Sequence, residues 1–388
     1  MGQFPQTFPA PESSPDLLII AGEHSGDQHA AHLVEELRAK NPSLSVCALG
    51  GPSLEKAGAQ ILFDMMDLAV VGFVEVLKHY SEFKAVFKNT IDWIKTYRPK
   101  AICFVDFPGF NLRLAKALQK EGLSVKGGGD IPLYFYIAPQ VWAWKPRRRF
   151  KMAKTLDALG VIFPFECKTF ADTSLPTTFV GHPFVSPTHK DALTYDPDGP
   201  ILLLPGSRKQ AVGRIYPTML AAFEGLLESD QEEQAVAIYP NEAVRSILEE
   251  ALQSFPELKT RVQLVSNEVP VAGKAVLTSS GTMSLTCALA GIPGAIVYRA
   301  NPFTYLMGRM LVNIDYLGIA NILLDREVVP EFIQHEAKPE LLLAELSRCL
   351  HLSEARDQAQ AVAQELRTLL SPGGDSPTPG AWIMQDRS

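Results

Sequence analysis

The chain has 388 residues, of which 46% are hydrophobic and 20% charged, and its formal net charge is −7. This composition is ordinary for a soluble α/β protein of two or three domains, and it gives no sign of a nucleic-acid binder. The five cysteines are far apart and form no CxxC, so we expect reduced core residues of a cytoplasmic protein, without a disulfide framework or a zinc site.

The two ends of the chain differ in composition from the rest. Residues 1–15 are rich in Pro, Ser and Gln and lack the basic start and apolar core of a signal peptide, so we expect a disordered tail. Residues 371–388 include SPGGDSPTPG and predict a second disordered tail. The longest nearly apolar run, 285–298, is too short for a bilayer span and contains Gly and Pro, so no transmembrane helix is expected.

The first predicted strand is DLLIIA at 16–21, which is followed by GEHSGD at 22–27 and an amphipathic helix. A strand, a glycine loop and a helix N-terminus can hold an anion or polar ligand on backbone N–H groups, which makes Glu23, Ser25 and Gly26 candidate ligand contacts. The loop lacks GxGxxG and the P-loop GK[ST]. A tight turn that needs small residues is the alternative.

The stretch AICFVDFPGFNLR at 101–113 carries the strongest local signal in the chain. Ala101–Val105 is a short apolar run without alternation, as in a strand buried on both faces of a parallel sheet. Asp106 follows directly, at the strand end where open α/β sheets place their ligand sites. Pro and Gly then break the chain, and Asn111 is a good N-cap for the following helix. A turn-forming aspartate that caps a loop is the alternative for Asp106.

A later segment combines tryptophan with positive charge in an otherwise acidic chain. The strand predicted at 132–140 is followed by VWAWKPRRRFKMAK at 141–154. This cluster resembles an interfacial anchor for an anionic membrane, whereas a solvated helix face with the tryptophans in the core is the alternative. The candidate membrane contacts are Trp142, Trp144, Lys145, Arg147, Arg148 and Arg149.

The alternation of strands and helices up to residue 184 predicts a doubly wound parallel domain with right-handed crossovers over 16–184. Its last strand ends at Gly-His-Pro, and His182 there is a candidate acceptor-side residue, although a lone histidine is more often structural. Residues 185–199 are polar and rich in Pro, which indicates an interdomain linker. A second domain with closing helices is predicted over 200–370.

The second domain repeats one kind of junction twice. The strand ILLL at 201–204 runs into Pro-Gly-Ser-Arg and a helix, and the strand at 275–278 runs into SSGT at 279–282 and another helix. Small residues at a helix N-terminus with an adjacent arginine can bind a diphosphate through N–H groups, the helix dipole and a bidentate guanidinium. The candidate contacts are Gly206, Ser207, Arg208, Ser280, Gly281 and Thr282.

Several segments together resemble one family. AGEHSGD, DLAVVGFVEVL, VDFPGFN, APQVWAW, FVGHP, LLPGSR, SSGT, YRANPFTY and NILLDREVVPEFIQ occur in the order and spacing of the lipid-A-disaccharide synthases, over roughly residues 16 to 350. The resemblance implies a GT-B glycosyltransferase, in which two Rossmann-like domains face a central cleft. It also implies transfer of 2,3-diacylglucosamine from UDP to the 6-hydroxyl of 2,3-diacylglucosamine 1-phosphate.

The resemblance extends to the site. It implies Asp106 as the base, Asn321 as a polar residue of the donor site, and Glu23, Ser25, Gly26, Asn111 and His182 on the acceptor side. No metal and no cofactor are expected, because N–H groups and Arg208 can supply the positive field. The expected partners are the two lipid substrates and anionic lipids of the inner membrane of a Gram-negative-type bacterium, to which a cytoplasmic protein attaches peripherally. A homodimer is possible, and no nucleic acid is expected.

Three residues depart from the family pattern. Gly109 stands where members commonly have Asp, Ala211 where an acidic residue often follows GSR, and Thr286 where many have a Glu expected to hold the ribose hydroxyls. One hydroxyl cannot reproduce the bidentate binding of a carboxylate to a diol. Two alternatives therefore stay open: another UDP-sugar GT-B transferase with a different lipid acceptor, and a homologue that binds nucleotide sugar or membrane without turnover.

Overall fold

The computed structural model describes residues 7–66, 80–301, 305, 315–374 and 376–385. The chain forms two compact units, Met1–Thr188 with Leu370–Ser388, and His189–Leu369. The segment DLAVVGFVEVL at 67–77 and most of PFTY at 302–305 lie outside the described residues.

The N-terminal unit is built on a seven-stranded sheet, in which every strand pairs in parallel in the order β3-β2-β1-β4-β5-β6-β7. Most of these strands are apolar and fully buried, as a sheet covered by helices on both faces requires. The strands are β1 (Leu17–Ala21), β2 (Val46–Gly50), β3 (Gln60–Asp64), β4 (Ile102–Val105), β5 (Leu133–Tyr136), β6 (Ala158–Val161) and β7 (Thr177–Phe179); the helices are α1 (His24–Lys40), α2 (Pro52–Lys56), α3 (Tyr80–Tyr97), α4 (Pro108–Lys120), α5 (Arg148–Ala153) and α6 (Glu166–Phe170).

The C-terminal unit has a six-stranded parallel sheet in the order β11-β10-β9-β13-β14-β15, and β8 pairs with β12 in a small second sheet. The prediction of two doubly wound parallel α/β domains is confirmed. The strands are β8 (Leu193–Tyr195), β9 (Ile201–Leu204), β10 (Ala235–Tyr239), β11 (Val262–Ser266), β12 (Val271–Gly273), β13 (Ala275–Ser279), β14 (Gly294–Tyr298) and β15 (Glu331–Ile333); the helices are α7 (Lys209–Leu226), α8 (Glu242–Gln253), α9 (Thr282–Leu289), α10 (Ile319–Leu324), α11 (Pro339–His351) and α12 (Ser353–Leu370).

The segment expected to be a linker, 185–199, is partly structured. The first compact unit ends at Thr188, and β8 within this segment pairs in register with β12, Leu193 opposite Val271. Leu193 is 2% exposed, so its burial draws the polar, proline-rich stretch into the second unit.

The prediction of disorder is wrong for the described part of the N-terminal tail. Phe8 is 8% exposed and lies against Phe63, with the ring centroids 5.8 Å apart. The indole N–H of Trp93 donates to the Pro9 carbonyl at 2.9 Å, and the amide of Gln60 donates to the Ala10 carbonyl at the same distance. Contacts with Phe63, Gln60 and Trp93 therefore order the segment around Phe8, although its composition predicts disorder.

Disorder is also the wrong prediction for much of residues 371–388, because Pro379–Gln385 form a helix, α13, within the N-terminal unit. Trp382 is 5% exposed and meets Tyr134 edge-on at 5.8 Å. Its ring also covers Gly160, where a Cβ atom would lie 2.9 Å from the indole, so a larger residue there would displace the ring. The Gly380 N–H donates to Glu36 on α1 at 2.9 Å.

Trp382→Ala should lower the free energy of unfolding of the N-terminal unit by about 3 kcal/mol, because truncation of a buried tryptophan leaves a cavity. Trp144→Ala is the matched control, since Trp144 is 39% exposed and its loss should cost less than about 0.5 kcal/mol. Urea unfolding followed by circular dichroism measures both. Equal midpoints for the two variants would contradict the packing of α13.

Candidate active site

Asp106 lies directly after β4, at the carboxyl edge of the N-terminal sheet. Its backbone N–H donates to the Tyr136 carbonyl at 3.0 Å and so extends the pairing of β4 with β5 by one residue. Burial, and to a lesser degree the nearby Glu23 carboxylate, raise the pKa of Asp106 to about 6, although the Phe107 N–H opposes the shift. A carboxylate that is still ionised at neutral pH but unusually basic is suited to accept a proton.

The backbone at Asp106 is strained. Asp106 and Phe107 both adopt left-handed conformations, with φ values of 45° and 47°. Each such residue costs roughly 1–2 kcal/mol for an L-amino acid, and strain of this kind is concentrated at functional sites. The two residues therefore form a sharp bend, fixed by their surroundings, between β4 and α4.

The sequence predicted Asn111 as the N-cap of α4, and this prediction is wrong. The helix begins at Pro108, whose fixed φ suits the first helical position, and Phe107 occupies the N-cap. Asn111 instead lies inside the first turns with no exposed surface, and its Nδ2 donates to the carbonyls of Ile20 at 3.2 Å and Asp106 at 2.8 Å.

The loop predicted at GEHSGD is shorter than expected, because α1 already begins at His24. Ser25 and Gly26 thus belong to its first turn, and Glu23 is an exposed N-cap residue without a side-chain capping bond. The turn itself is made at Gly22, where a Cβ atom would lie 2.2 Å from the Phe107 ring. The N-terminus of α1 is therefore held against the bend that contains Asp106. The first backbone N–H groups of α1 have no partner within the helix.

Asp27, the last residue of the GEHSGD motif, was not among the residues predicted to be important. It is fully buried, and its carboxylate accepts the backbone N–H groups of Gly51 at 2.7 Å, Ser53 at 2.9 Å and Leu54 at 3.3 Å. The sequence signal was available, because Asp27 falls on the same helical face as the apolar Ala30, Ala31 and Val34, also buried. Its role is to fix the turn between β2 and α2.

His182 has the contacts of a structural histidine. It is 6% exposed, its Nδ1 accepts the Phe184 N–H at 3.1 Å, and its backbone N–H donates to the Leu370 carbonyl at 2.9 Å. The ring stacks on Phe163 at 5.4 Å and meets Phe184 edge-on at 4.8 Å. These contacts favour the structural interpretation over an acceptor-side role.

In the C-terminal unit the two predicted junctions lie side by side. β9 and β13 are paired, with Leu204 opposite Thr278, so the turns that follow them are neighbours. Gly206 has a φ of 96°, and a Cβ atom there would lie 2.6 Å from the Ser279 hydroxyl. Only glycine allows both this conformation and this approach.

The side chains of these two junctions are accessible. Ser207, Arg208 and Thr282 are exposed, and the position of a Cβ on Gly281 has no atom within 4 Å. Arg208 is the N-cap residue of α7 and Gly281 that of α9, and neither helix has a side-chain capping bond. Two adjacent helix N-termini and a guanidinium thus present unpaired N–H donors and positive charge, which is what a diphosphate requires.

The tryptophan and basic segment divides into an inner and an outer part. Trp142 is partly buried and packs edge-on against Phe165 at 5.2 Å, whereas Trp144 and Phe150 are 39% and 41% exposed. Arg149 is not available as a membrane contact, because its Nε donates to Asp172 at 2.7 Å and its Nη1 to the Pro146 carbonyl at 2.8 Å.

The outer part is made of aromatic and basic side chains together. The Lys145 ammonium lies over the Trp144 ring at 5.0 Å. Phe150 is an exposed aromatic residue that the tryptophan pattern did not include. Arg147 is exposed and Arg148 is partly exposed. The segment follows β5, the strand next to β4, so it leaves the same edge of the sheet as Asp106.

Within the described part of the chain, no three His, Cys, Asp or Glu side chains are grouped so that they could hold a metal ion. None of the helices described there is both long enough and apolar enough to cross a membrane.

The model of the lipid-A-disaccharide synthetase family matches residues 17–374. The chain belongs to this family. A lipid-A-disaccharide synthase from Trichlorobacter lovleyi is 35% identical over 369 residues, covering 92% of this chain and 94% of the relative. One from Nitrosococcus oceani is 33% identical over 373 residues, covering 93% and 94%. The chain is thus a lipid-A-disaccharide synthase homologue and an enzyme of the glycosyltransferase class.

Solved structures agree on the fold of this synthase. The glycotransferase of kitacinnamycin has a TM-score of 0.61 at 12% identity, covering 97% of this chain and 100% of that chain. CalG4, the calicheamicin glycosyltransferase, has a TM-score of 0.57 at 13% identity, covering 97% and 98%. A putative UDP-N-acetylglucosamine 2-epimerase from Listeria monocytogenes has a TM-score of 0.60 at 13% identity, covering 97% and 95%. The predicted GT-B fold is confirmed as far as its two Rossmann-like domains are concerned.

The three departures of this synthase from the family pattern differ in their surroundings. Gly109 is exposed, and a Cβ atom there would meet nothing within 4 Å, so packing does not enforce the glycine. Ala211 lies in the first turn of α7. Thr286 donates its hydroxyl to the Thr282 carbonyl at 3.3 Å, within its own helix.

Asn321 was predicted to contact the sugar donor of the synthase, but its side chain forms hydrogen bonds within the protein instead. It is fully buried; its Nδ2 donates to the Val329 carbonyl at 2.8 Å and to Glu331 at 2.7 Å, and its Oδ1 accepts the N–H groups of Val328 and Val329. Glu331 in turn accepts the N–H groups of Leu317 and Gly318. All the hydrogen-bonding positions of the amide are filled, so Asn321 fixes the segment from α10 to β15.

Asn321→Ala should therefore lower the free energy of unfolding of the C-terminal unit by about 2–3 kcal/mol, because it leaves several buried polar groups without partners. Asn241→Ala is a milder comparison, because Asn241 only caps α8 and its loss should cost about 1 kcal/mol. Chemical denaturation of the two variants measures the difference. Full stability of Asn321→Ala together with lost nucleotide binding would restore the donor-contact interpretation.

Proposed function

We propose that this synthase condenses UDP-2,3-diacylglucosamine with 2,3-diacylglucosamine 1-phosphate, with inversion at the sugar carbon, to give a β-1,6-linked disaccharide 1-phosphate and UDP. The observation that carries the proposal is the Asp106 carboxylate, whose pKa is raised to about 6 at the carboxyl edge of the sheet. Membership of the family supports the identity of both substrates.

Asp106 acts as the general base. As the 6-hydroxyl oxygen of the acceptor forms a bond to C1 of the donor sugar, the carboxylate takes up the hydroxyl proton and the bond from C1 to the UDP oxygen breaks. The raised pKa makes Asp106 a stronger base than an ordinary aspartate, while leaving it largely ionised at neutral pH.

The diphosphate that departs with the electron pair is stabilised in the C-terminal unit. The N-termini of α7 and α9 offer backbone N–H groups, Arg208 offers a guanidinium, and the Ser207, Ser280 and Thr282 hydroxyls are donors. Fixed donors of this kind stabilise charge that develops in the transition state. We propose that they suffice without a metal or another cofactor.

The outer part of the tryptophan and basic segment suits a substrate that resides in a bilayer. Trp144 and Phe150 can enter the interface of the membrane while Lys145 and Arg147 pair with anionic headgroups. We propose that this cytoplasmic enzyme attaches peripherally to the inner membrane in this way.

Asp106→Asn should lower the rate of UDP release by at least a hundredfold, because an amide cannot accept the proton. The variant should stay folded and be no less stable, because a raised pKa in the folded state means that the ionised carboxylate opposes folding at neutral pH. In the wild type, kcat/KM should fall below a pH of about 6 as Asp106 becomes protonated.

The assay measures UDP release with both lipids in detergent, with and without a chelator. Asp130→Asn, an exposed carboxylate paired with Arg98, is the control and should retain full activity. Near-normal turnover of Asp106→Asn would reject Asp106 as the base. Release of UDP without the acceptor, or loss of release with chelator, would contradict the proposed reaction.

The triple variant Trp144→Ala, Lys145→Ala, Arg147→Ala should weaken binding to anionic vesicles roughly thirtyfold or more, since each basic residue at such a surface is worth about 1 kcal/mol. The control Arg113→Ala, Lys116→Ala removes the same charge from exposed positions on α4 and should bind normally. Vesicle sedimentation, compared with neutral vesicles, measures the effect. Equal binding of the two variants would show that the membrane contact lies elsewhere.

A further inference from the structure

The bend at Asp106 needs a support that the sequence pattern does not reveal. Two consecutive residues other than glycine, Asp106 and Phe107, are left-handed there, and such conformations persist only where the surroundings determine them. The Phe107 ring is held over Gly22 and stacks on Phe110 at a centroid distance of 6.0 Å. These contacts fix Phe107 but leave the peptide of Asp106 itself to be explained.

Asn111 holds that peptide directly. Its Nδ2 donates both hydrogens, one to the Asp106 carbonyl at 2.8 Å and one to the Ile20 carbonyl at 3.2 Å. Ile20 lies on β1 and Asp106 follows β4, and these two strands are paired, with Ala21 opposite Val105. One side chain on α4 therefore ties the ends of two adjacent strands to the helix that follows them.

The orientation of this amide is fixed. Turning it over would place Oδ1 against two carbonyl oxygens, which accept hydrogen bonds and cannot donate them. The Oδ1 atom is buried and makes no hydrogen bond with the described residues. The Asn111 amide thus leaves its buried oxygen without a hydrogen bond while its NH2 group donates to two carbonyls. This arrangement indicates that the two hydrogen bonds donated by Nδ2 are the function of the side chain.

We propose that Asn111 is the positioning residue of Asp106. It fixes the carbonyl of the left-handed peptide and so sets the direction in which the carboxylate leaves the strand, without contact to the substrate. The proposal rests on the proposed role of Asp106 as the general base. It changes the expected role of Asn111 from an acceptor-side contact to a support for the base.

Other groups near the base do not replace this support. Glu23 acts on Asp106 through its charge, and the Phe107 N–H interacts with the carboxylate itself. The Tyr136 carbonyl accepts the N–H of Asp106 and therefore fixes the other side of the residue. Among the described residues, Asn111 is the side chain that donates a hydrogen bond to the Asp106 carbonyl.

The test compares Asn111→Ala and Asn111→Asp with the wild type in the UDP-release assay. Both variants should lose 10- to 100-fold in kcat with KM changed less than about threefold, because displacement of a reacting group by about an ångström can cost a hundredfold. In Asn111→Ala the fall of kcat/KM on the acid side should move to lower pH, since a released Asp106 is better solvated.

Thr90→Ala is the matched control. Thr90 is buried in the same unit, and its hydroxyl donates only to the Val86 carbonyl within α3 at 2.7 Å. Its loss should lower stability without changing kcat or the pH profile. If Asn111→Ala behaves like Thr90→Ala, the side chain is merely structural and the proposal fails.

A double variant separates this proposal from the proposed function. If Asn111 acts through Asp106, then Asn111→Ala should cause no further loss of activity in the Asp106→Asn background. A further tenfold loss there would overturn the positioning role while leaving Asp106 as the base. Full activity of Asp106→Asn alone would overturn the proposed base.

Discussion

Each unit depends on one lateral strand pairing, that of β1 with β4 and that of β9 with β13. In both pairs the strands lie far apart in the sequence, yet parallel hydrogen bonding places their carboxyl ends about 5 Å apart. The first pair brings the N-terminus of α1 against Asp106, and the second brings Gly206 against Ser279. The chemical groups of each unit therefore meet because of backbone pairing, and the side chains act on a geometry already set.

The same pairing creates a conflict between burial and charge. A carboxylate at the end of a buried strand loses water, which raises its pKa and works against folding at neutral pH. Two left-handed residues in succession add to that cost. The apolar core around β4 and the close contact of Phe107 with Gly22 offset it. The stability of the rest of the unit thus sustains a carboxylate whose pKa would be closer to its ordinary value in a relaxed, solvated loop.

The sequence predicted correctly those features that depend on local hydrophobicity or on the topology of a parallel sheet. Short apolar runs located the buried strands, and the strand predicted at 201–204 has its observed limits. The position of Asp106 after a strand, and the two glycine and serine turns between a strand and a helix, followed from the rules of parallel sheets. These features depend on local hydrophobicity and on topology, and both can be read along one chain.

Other features depend on partners that sequence order does not reveal. Asn111 fits the usual preference for an N-cap, but Pro108 starts the helix earlier and sends the amide to Ile20, 91 positions away. Asn321 was expected in the donor site, but its amide donates to the Val329 carbonyl and closes a loop of its own unit. Trp142 and Trp144 are two positions apart in an irregular turn, where no periodicity tells the inward residue from the outward one.

The packing of α13 on the N-terminal unit has a consequence for synthesis on the ribosome. Trp382 covers Gly160, so a surface formed by the first half of the chain waits for a helix that is translated only after residues 189–369. At roughly 5–20 residues per second the interval is on the order of 10 to 40 s, while the whole C-terminal unit is being made. During that time no Trp382 ring is present to cover Tyr134 and Gly160. The N-terminal unit can therefore begin to fold before the C-terminal unit is synthesised, but it is completed only afterwards.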